Sequence, residues 1–127
     1  MTYLDIITRA YRLRNVIDAN EEPNAEQGVE GLNTLNDMMA QWLADGVDLQ
    51  YIPIEPAALA DELTIPDYSR AGVTAHLAIR LAAGAAITPE LQAQAESGYT
   101  TITNRTVANA LGAVRLDHVP NRGLWRC

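Results

Sequence analysis

Residues 25–46 read AEQGVEGLNTLNDMMAQWLADG, and their spacing decides the fold class. Val29, Leu32, Leu35, Met39, Trp42 and Leu43 recur at three- and four-residue steps. That is the period of one α-helical face. Asn24 stands just ahead as an N-cap, a side chain that accepts from the free N–H groups of a first turn. Gly46 follows and tolerates the left-handed backbone at which many helices stop. Ala25 to Asp45 is therefore expected as the longest helix. Gly28 and Gly31 lie inside it and cost about 1 kcal/mol each relative to Ala. They are expected to mark a close approach by another helix.

The pattern continues on both sides. Thr2 to about Leu13 is expected as a first helix, with Leu4, Ile7 and Tyr11 at helical steps. Thr2 and Asp5 have the spacing of a capping box, and Arg9, Arg12 and Arg14 fall near the end, where cations suit the helix dipole. Asn15 to Asn24 reads as a connection. Residues 47–67 form a Pro-rich connection punctuated by Pro53, Pro56 and Pro66. Within it, Leu49–Ile52 and Leu63–Ile65 read as two short extended strands, and Ala57–Glu62 as one helical turn. A third helix, capped by Asp67 or Ser69, runs to about Ala83 and stops at Gly84. It is apolar nearly all round, so it is expected at the centre. Thr88-Pro89-Glu90 restarts the chain as a cap, a Pro at the first helical position and an acid in the first turn. The fourth helix runs from there to about Gly112, with Leu91, Ala95, Ile102, Val107 and Leu111 as its apolar members. Val114 to Cys127 has no helical period and contains Pro120, Gly123 and Trp125. The expected fold is all-α: a small antiparallel bundle of about four helices over residues 1–113, with an extended arm at 114–127.

Composition narrows the function classes. The chain has 127 residues, enough for one modest core, and 48% are apolar. No apolar run approaches a membrane span, and the first residues lack the basic flank and apolar stretch of a signal peptide. The single cysteine, Cys127, forms no disulfide framework or multi-cysteine metal site within this sequence, and a reducing compartment is expected. Charge is segregated: residues 1–20, 21–67 and 68–127 carry net charges of +1, −11 and +3, and the middle segment holds eleven acids and no base. A free nucleic-acid-binding module shows a basic stripe and a high pI, whereas this pI is near 4.6. A basic patch that meets an acidic patch on a second copy suits a head-to-tail oligomer.

Catalytic signatures are absent. The sequence holds no Gly-rich phosphate loop, no nucleophile elbow and no His-Glu-x-x-His pair. No catalytic residue, metal site or cofactor is expected. His76 lies among Ala and Leu and is expected as a hydrogen-bonded core or interface histidine rather than a base. His118 with Cys127 makes a poor nucleophile pair at a chain end. Glu22, Glu26 and Glu30 recur at four-residue steps, as a solvated helix edge does. Arg80, inside an apolar helix, must find an acceptor, and Asp37 or Asp45 is the expected partner.

Several stretches occur together: Ile7-Thr8-Arg9-Ala10-Tyr11-Arg12-Leu13, Glu22-Pro23, Leu32 to Gly46, Ile65-Pro66-Asp67, and Leu77-Ala78-Ile79-Arg80-Leu81-Ala82. In this order they resemble the head-to-tail adaptor (connector) proteins of tailed bacteriophages, and most closely the packaged-DNA stabilisation proteins of short-tailed phages. The resemblance covers about residues 3–100. Its strongest part is Leu32-Asn33 followed by Met38-Met39, Trp42 and Asp45-Gly46.

The resemblance implies a structural virion protein. Such proteins form a closed ring of about a dozen copies below the portal protein. They extend the DNA channel, help retain packaged DNA and offer a surface to the next tail component, a nozzle or stopper protein. DNA passes through without sequence-specific binding, and no membrane is involved. The location implied is the virion head-to-tail junction, after synthesis in the bacterial host cytoplasm. Residues 114–127 would be the docking arm, with Arg115, His118, Arg122, Leu124 and Trp125 as portal-binding residues by position. The arm is short for a short-tailed-phage member, so a long-tailed-phage adaptor stays open. Two other classes compete: a small cell-wall hydrolase with Glu22 or Glu26 as general acid, and a cytoplasmic helical DNA-binding or regulatory module.

Overall fold

Three helix starts are set by side chains that satisfy the first free N–H groups. The computed structural model describes residues 1–81 and 86–125, with side chains as far as Ala108. Its four helices are α1 (Tyr3–Leu13), α2 (Ala25–Ala44), α3 (Arg70–Leu81) and α4 (Pro89–Trp125). Before α1, Thr2 Oγ1 accepts from the Asp5 N–H at 3.1 Å, and Asp5 Oδ2 accepts from the Thr2 N–H at 2.9 Å. Before α2, Asn24 and Gln27 make the same reciprocal pair at 2.8 and 2.9 Å. Before α4, Thr88 Oγ1 accepts from the Leu91 N–H at 3.2 Å. Each such cap contributes about 1 kcal/mol.

The start of α3 corrects the sequence reading. Neither Asp67 nor Ser69 caps it. Residues Asp67–Ser69 form a 3-10 turn that leads straight into the helix. The tight turn brings the Ser69 hydroxyl onto the Pro66 carbonyl, to which it donates at 2.6 Å, and Asp67 pairs instead with Arg70 at 3.0 Å. The expected stop at Gly84 lies outside the described residues.

The core is shared by all four helices. It includes Tyr3, Ile6, Ile7 and Ala10 of α1, Leu32, Leu35, Met38 and Trp42 of α2, Val73, Leu77 and Ala78 of α3, and Leu91, Ala95 and Ile102 of α4. Helix α3 packs on the other three, as its composition implies. The buried stripe of α2 is turned from the expected one. Positions 28, 31, 32, 35, 38, 39 and 42 face inward, whereas Val29 and Leu43 are exposed. Each of those two is one residue, or about 100°, away from a buried neighbour. The two glycines explain the rotation, because α2 presents its smallest residues to its neighbours. A Cβ on Gly31 would overlap Ile7 Cγ2, and one on Gly28 would touch Leu59 at 3.4 Å. A second close approach joins α3 to α4 at Gly72 and Gly98, where a Cβ on Gly72 would sit 2.8 Å from the Gly98 carbonyl carbon.

No strand forms among the described residues of the 47–67 connection, contrary to the two short strands expected. One isolated bridge, Thr2 to Glu62, is present. Gln50 interrupts any ladder because its φ of +58° is left-handed. Two hydrogen bonds hold it there. Its N–H donates to Asp48 Oδ1 at 2.8 Å, and its carbonyl accepts from Thr64 Oγ1 at 3.0 Å. The helical turn expected at 57–62 is a shorter 3-10 turn at Pro56–Ala58.

Helix α4 differs most from the sequence reading. Its backbone stays helical to Trp125, past Gly112 and through Pro120, where an extended arm is expected. Ala108, Ala110, Leu111, Ala113, Arg115 and Leu116 are strong helix formers that offset Gly112 and Gly123. Pro120 opposes the helix, because it lacks the N–H that would reach residue 116 and its ring crowds that carbonyl.

Candidate functional site

The five residues assigned to portal contact all lie on the last turns of α4. Their side chains are outside the described residues, so the backbone register alone places them. At about 100° per residue, positions 115, 118, 122 and 125 fall within one arc of about 80°. Position 124 falls on the opposite side. A helical backbone therefore aligns Arg115, His118, Arg122 and Trp125 into one stripe and separates Leu124 from it. That stripe repeats the three- and four-residue steps of an amphipathic contact helix. Cys127 lies outside the described residues.

The other half of α4 is fastened to the core by three rings. Trp42 of α2, His76 of α3 and Tyr99 of α4 meet edge to face, with centroids 5.1 to 5.6 Å apart. Such pairs contribute about 1 kcal/mol beyond their buried area. His76 Nε2 stands 2.9 Å from the Ala95 carbonyl, which can only accept, so Nε2 carries the proton. Burial pushes the His76 pKa down, and the nearby Arg80 charge adds to that, against the opposing effect of the Ala95 bond. His76 is hydrogen-bonded and half-buried, in keeping with the expected core or interface histidine. Nothing in the sequence marked Tyr99 as its neighbour.

Arg80 corrects another expectation. It donates to Gln41 Oε1 at 3.1 Å, not to Asp37 or Asp45. Gln41 lies beside Trp42 on the α2 edge that faces α3, whereas Asp37 and Asp45 are each four residues from it along the helix. The acids also rearrange. Glu22 lies in the connection before α2, so only Glu26 and Glu30 share a helix edge. All three are exposed. So is every other acid between residues 21 and 67.

Tyrosines anchor the connection. Tyr3 Oη donates to the Ile52 carbonyl at 2.6 Å, Tyr51 Oη donates to Asn36 Oδ1, and Asn36 Nδ2 donates to the Ile54 carbonyl at 3.3 Å. Burial raises the Tyr51 pKa far above its ordinary range, with Tyr3 adding to the effect. These hydroxyls stay protonated and serve as donors.

Two open depressions flank α1. One, of about 900 Å³, runs between α1, α3 and α4 past Arg9, Tyr68, Thr74 and Thr101. Arg105 of α4 sits 5.5 Å from the Tyr68 ring centroid at its side. The other, of about 550 Å³, lies between α1 and the start of α3. Among the described residues no helix is long and apolar enough to cross a membrane. No protein-family model matches the chain, and no curated protein shows detectable similarity to it.

Proposed function

We propose that the chain is a structural adaptor of a phage head-to-tail junction. It forms a ring below the portal protein, extends the DNA channel, helps retain packaged DNA and presents a surface to the next tail component. The observation that carries this reading is the division of α4. Its last core side chain among the described residues is Ile102, yet the helix runs on to Trp125. At 1.5 Å per residue that is roughly 35 Å of helix. A helix of this length offers a surface to a partner, and the register of 115, 118, 122 and 125 brings three basic or polar residues and one Trp to one side of it. In this role Trp125 is the anchor and Arg115, His118 and Arg122 are the polar contacts around it.

Charge placement supports the same reading. Eleven exposed acids in one segment, with arginines confined to the rest of the chain, suit contact between unlike surfaces of neighbouring copies. An acidic surface toward passing DNA repels phosphates and keeps the duplex from sticking. No catalytic step and no cofactor belong to this role.

The test is native mass measurement of the chain alone and with the portal ring from the same source. The expected result is a monomer alone and a ring-sized complex with portal. Trp125→Ala, or loss of residues 114–127, abolishes that complex while the thermal transition of the remaining helices is kept. Attachment of the truncated chain at the normal level would overturn the reading.

A further inference from the structure

The depression between α1 and the start of α3 gathers three arginines in a chain that is otherwise acidic. Arg9 and Arg12 come from α1 and Arg70 from the first position of α3, and Thr8, Asp5 and Glu22 share the lining. Two of the guanidiniums are pinned at one end only. Arg12 Nη2 donates to the Glu21 carbonyl at 3.0 Å, and Arg70 Nη2 pairs with Asp67 Oδ1 at 3.0 Å. The inner nitrogen of each, Arg12 Nε and Arg70 Nε, is buried with no acceptor among the described residues. Buried guanidinium donors are nearly always satisfied, because an unmet one carries its full desolvation cost.

The carboxylates nearby do not meet that need. Asp5 is committed to the α1 cap through the Thr2 N–H, and Glu22 is exposed. The Thr8 hydroxyl hydrogen goes to the Leu4 carbonyl at 2.7 Å. Asp67 pairs with Arg70 from outside the lining, so unmet guanidinium donors rather than net charge distinguish this depression.

We infer that this depression is a binding site for a phosphate-type oxyanion, as free phosphate or as the phosphate group of a small monoester. Donors arrive from two helices, so an acceptor that offers oxygens in more than two directions suits them best. A tetrahedral phosphate does so, whereas a carboxylate has two oxygens in one plane and matches a single guanidinium fork. The volume, about 550 Å³, exceeds that of phosphate alone and leaves room for the body of a monoester. The exposed Arg9 is the third cation of the lining. This site is independent of the adaptor role and holds whether or not that reading survives.

The experiment is thermal unfolding and calorimetric titration of the full chain at pH 7.5. Inorganic phosphate is the first probe and glycerol 3-phosphate the second, each against sodium chloride at equal ionic strength. The expected result is a melting temperature that rises with phosphate beyond the chloride control, as for any ligand that binds only the folded state. Arg12→Lys and Arg70→Lys keep the charge and the fold but remove the Nε donor. Each is expected to weaken phosphate binding about tenfold or more, the scale of one charge-assisted hydrogen bond. Arg9→Gln, at an exposed position, is expected to weaken it less. A response no greater than chloride overturns the site. So does a phosphate response unchanged in both lysine variants. Binding of a DNA duplex with no response to either small phosphate would also overturn it.

Discussion

The connection at 47–67 and the last turns of α4 are opposites. The connection has no regular backbone among its described residues beyond one short 3-10 turn. Yet it delivers Val47, Leu49, Leu63 and Ile65 to the core. The distal part of α4 is regular helix, but Ile102 is the last core side chain that α4 supplies among the described residues. Regularity and burial are separate properties. A helix satisfies its own backbone and can run on without a core. An irregular segment must be held by side chains, and here Tyr3, Asn36, Tyr51 and Thr64 hold it. The irregular part of this molecule therefore belongs to its stability as much as the helices do.

The sharpest way to break that contrast is one alanine in each region. Leu49 is 2% exposed and Val107 is 55% exposed. Leu49→Ala removes core volume that the surrounding loop cannot refill, and should cost about 2–4 kcal/mol in urea unfolding. Val107→Ala should stay within about 0.5 kcal/mol. Equal costs would mean that the connection is a passive loop, or that α4 is packed further along than Ile102.

A glycine tests where the packed half of α4 begins. Gly98 faces Gly72 across the α3–α4 crossing, and a Cβ there would overlap the Gly72 Cα. Helix propensity alone favours Ala over Gly by about 1 kcal/mol. The overlap is with backbone, so the two helices must part, and Gly98→Ala should be destabilising by about 1–3 kcal/mol net. A stabilising outcome in thermal unfolding would show that the two helices separate at no cost and that the contrast along α4 is weaker than its burial implies.

The sequence was readable where a rule is local. Thr2, Asn24 and Thr88 cap as expected, Gly46 adopts φ +92°, and Gly31 marks the approach of α1. It misled where the answer depends on another element. The stripe of α2 is set by which residues let neighbours come close, so Gly28 counted as buried and Leu43 did not. The partner of Arg80 is Gln41, a neutral side chain that a charge-pairing argument passes over. Core residues of the connection have no period because tertiary hydrogen bonds, not a helix, orient them. The Gly72–Gly98 crossing is two unremarked glycines until both helices are placed. For the candidate residues the sequence reading ended the helix at Gly112, so it gave them no common face; such a face exists only because the backbone of 114–125 is helical.

The smallest effect concerns the fastening between the two halves of α4. His76 ties α3 to the Ala95 carbonyl and stacks against Trp42 and Tyr99. Its pKa is lowered in the folded chain, chiefly by burial. In the unfolded chain it titrates near the ordinary value of about 6.5. The unfolded state therefore binds the proton first as pH falls, and stability depends on pH in one direction. The contribution of neutral His76 is fully present above about 6.5 and is lost as pH drops from there toward the folded value. Urea unfolding at pH 7.5 and 5.5 should show the lower stability at the lower pH. His76→Gln keeps a donor for the Ala95 carbonyl but removes the titration, so its stability should change less between the same two pH values. A slope that is the same with and without His76 would mean the ring is solvated in the folded chain, and that α4 is held by Gly98 and Ile102 without it.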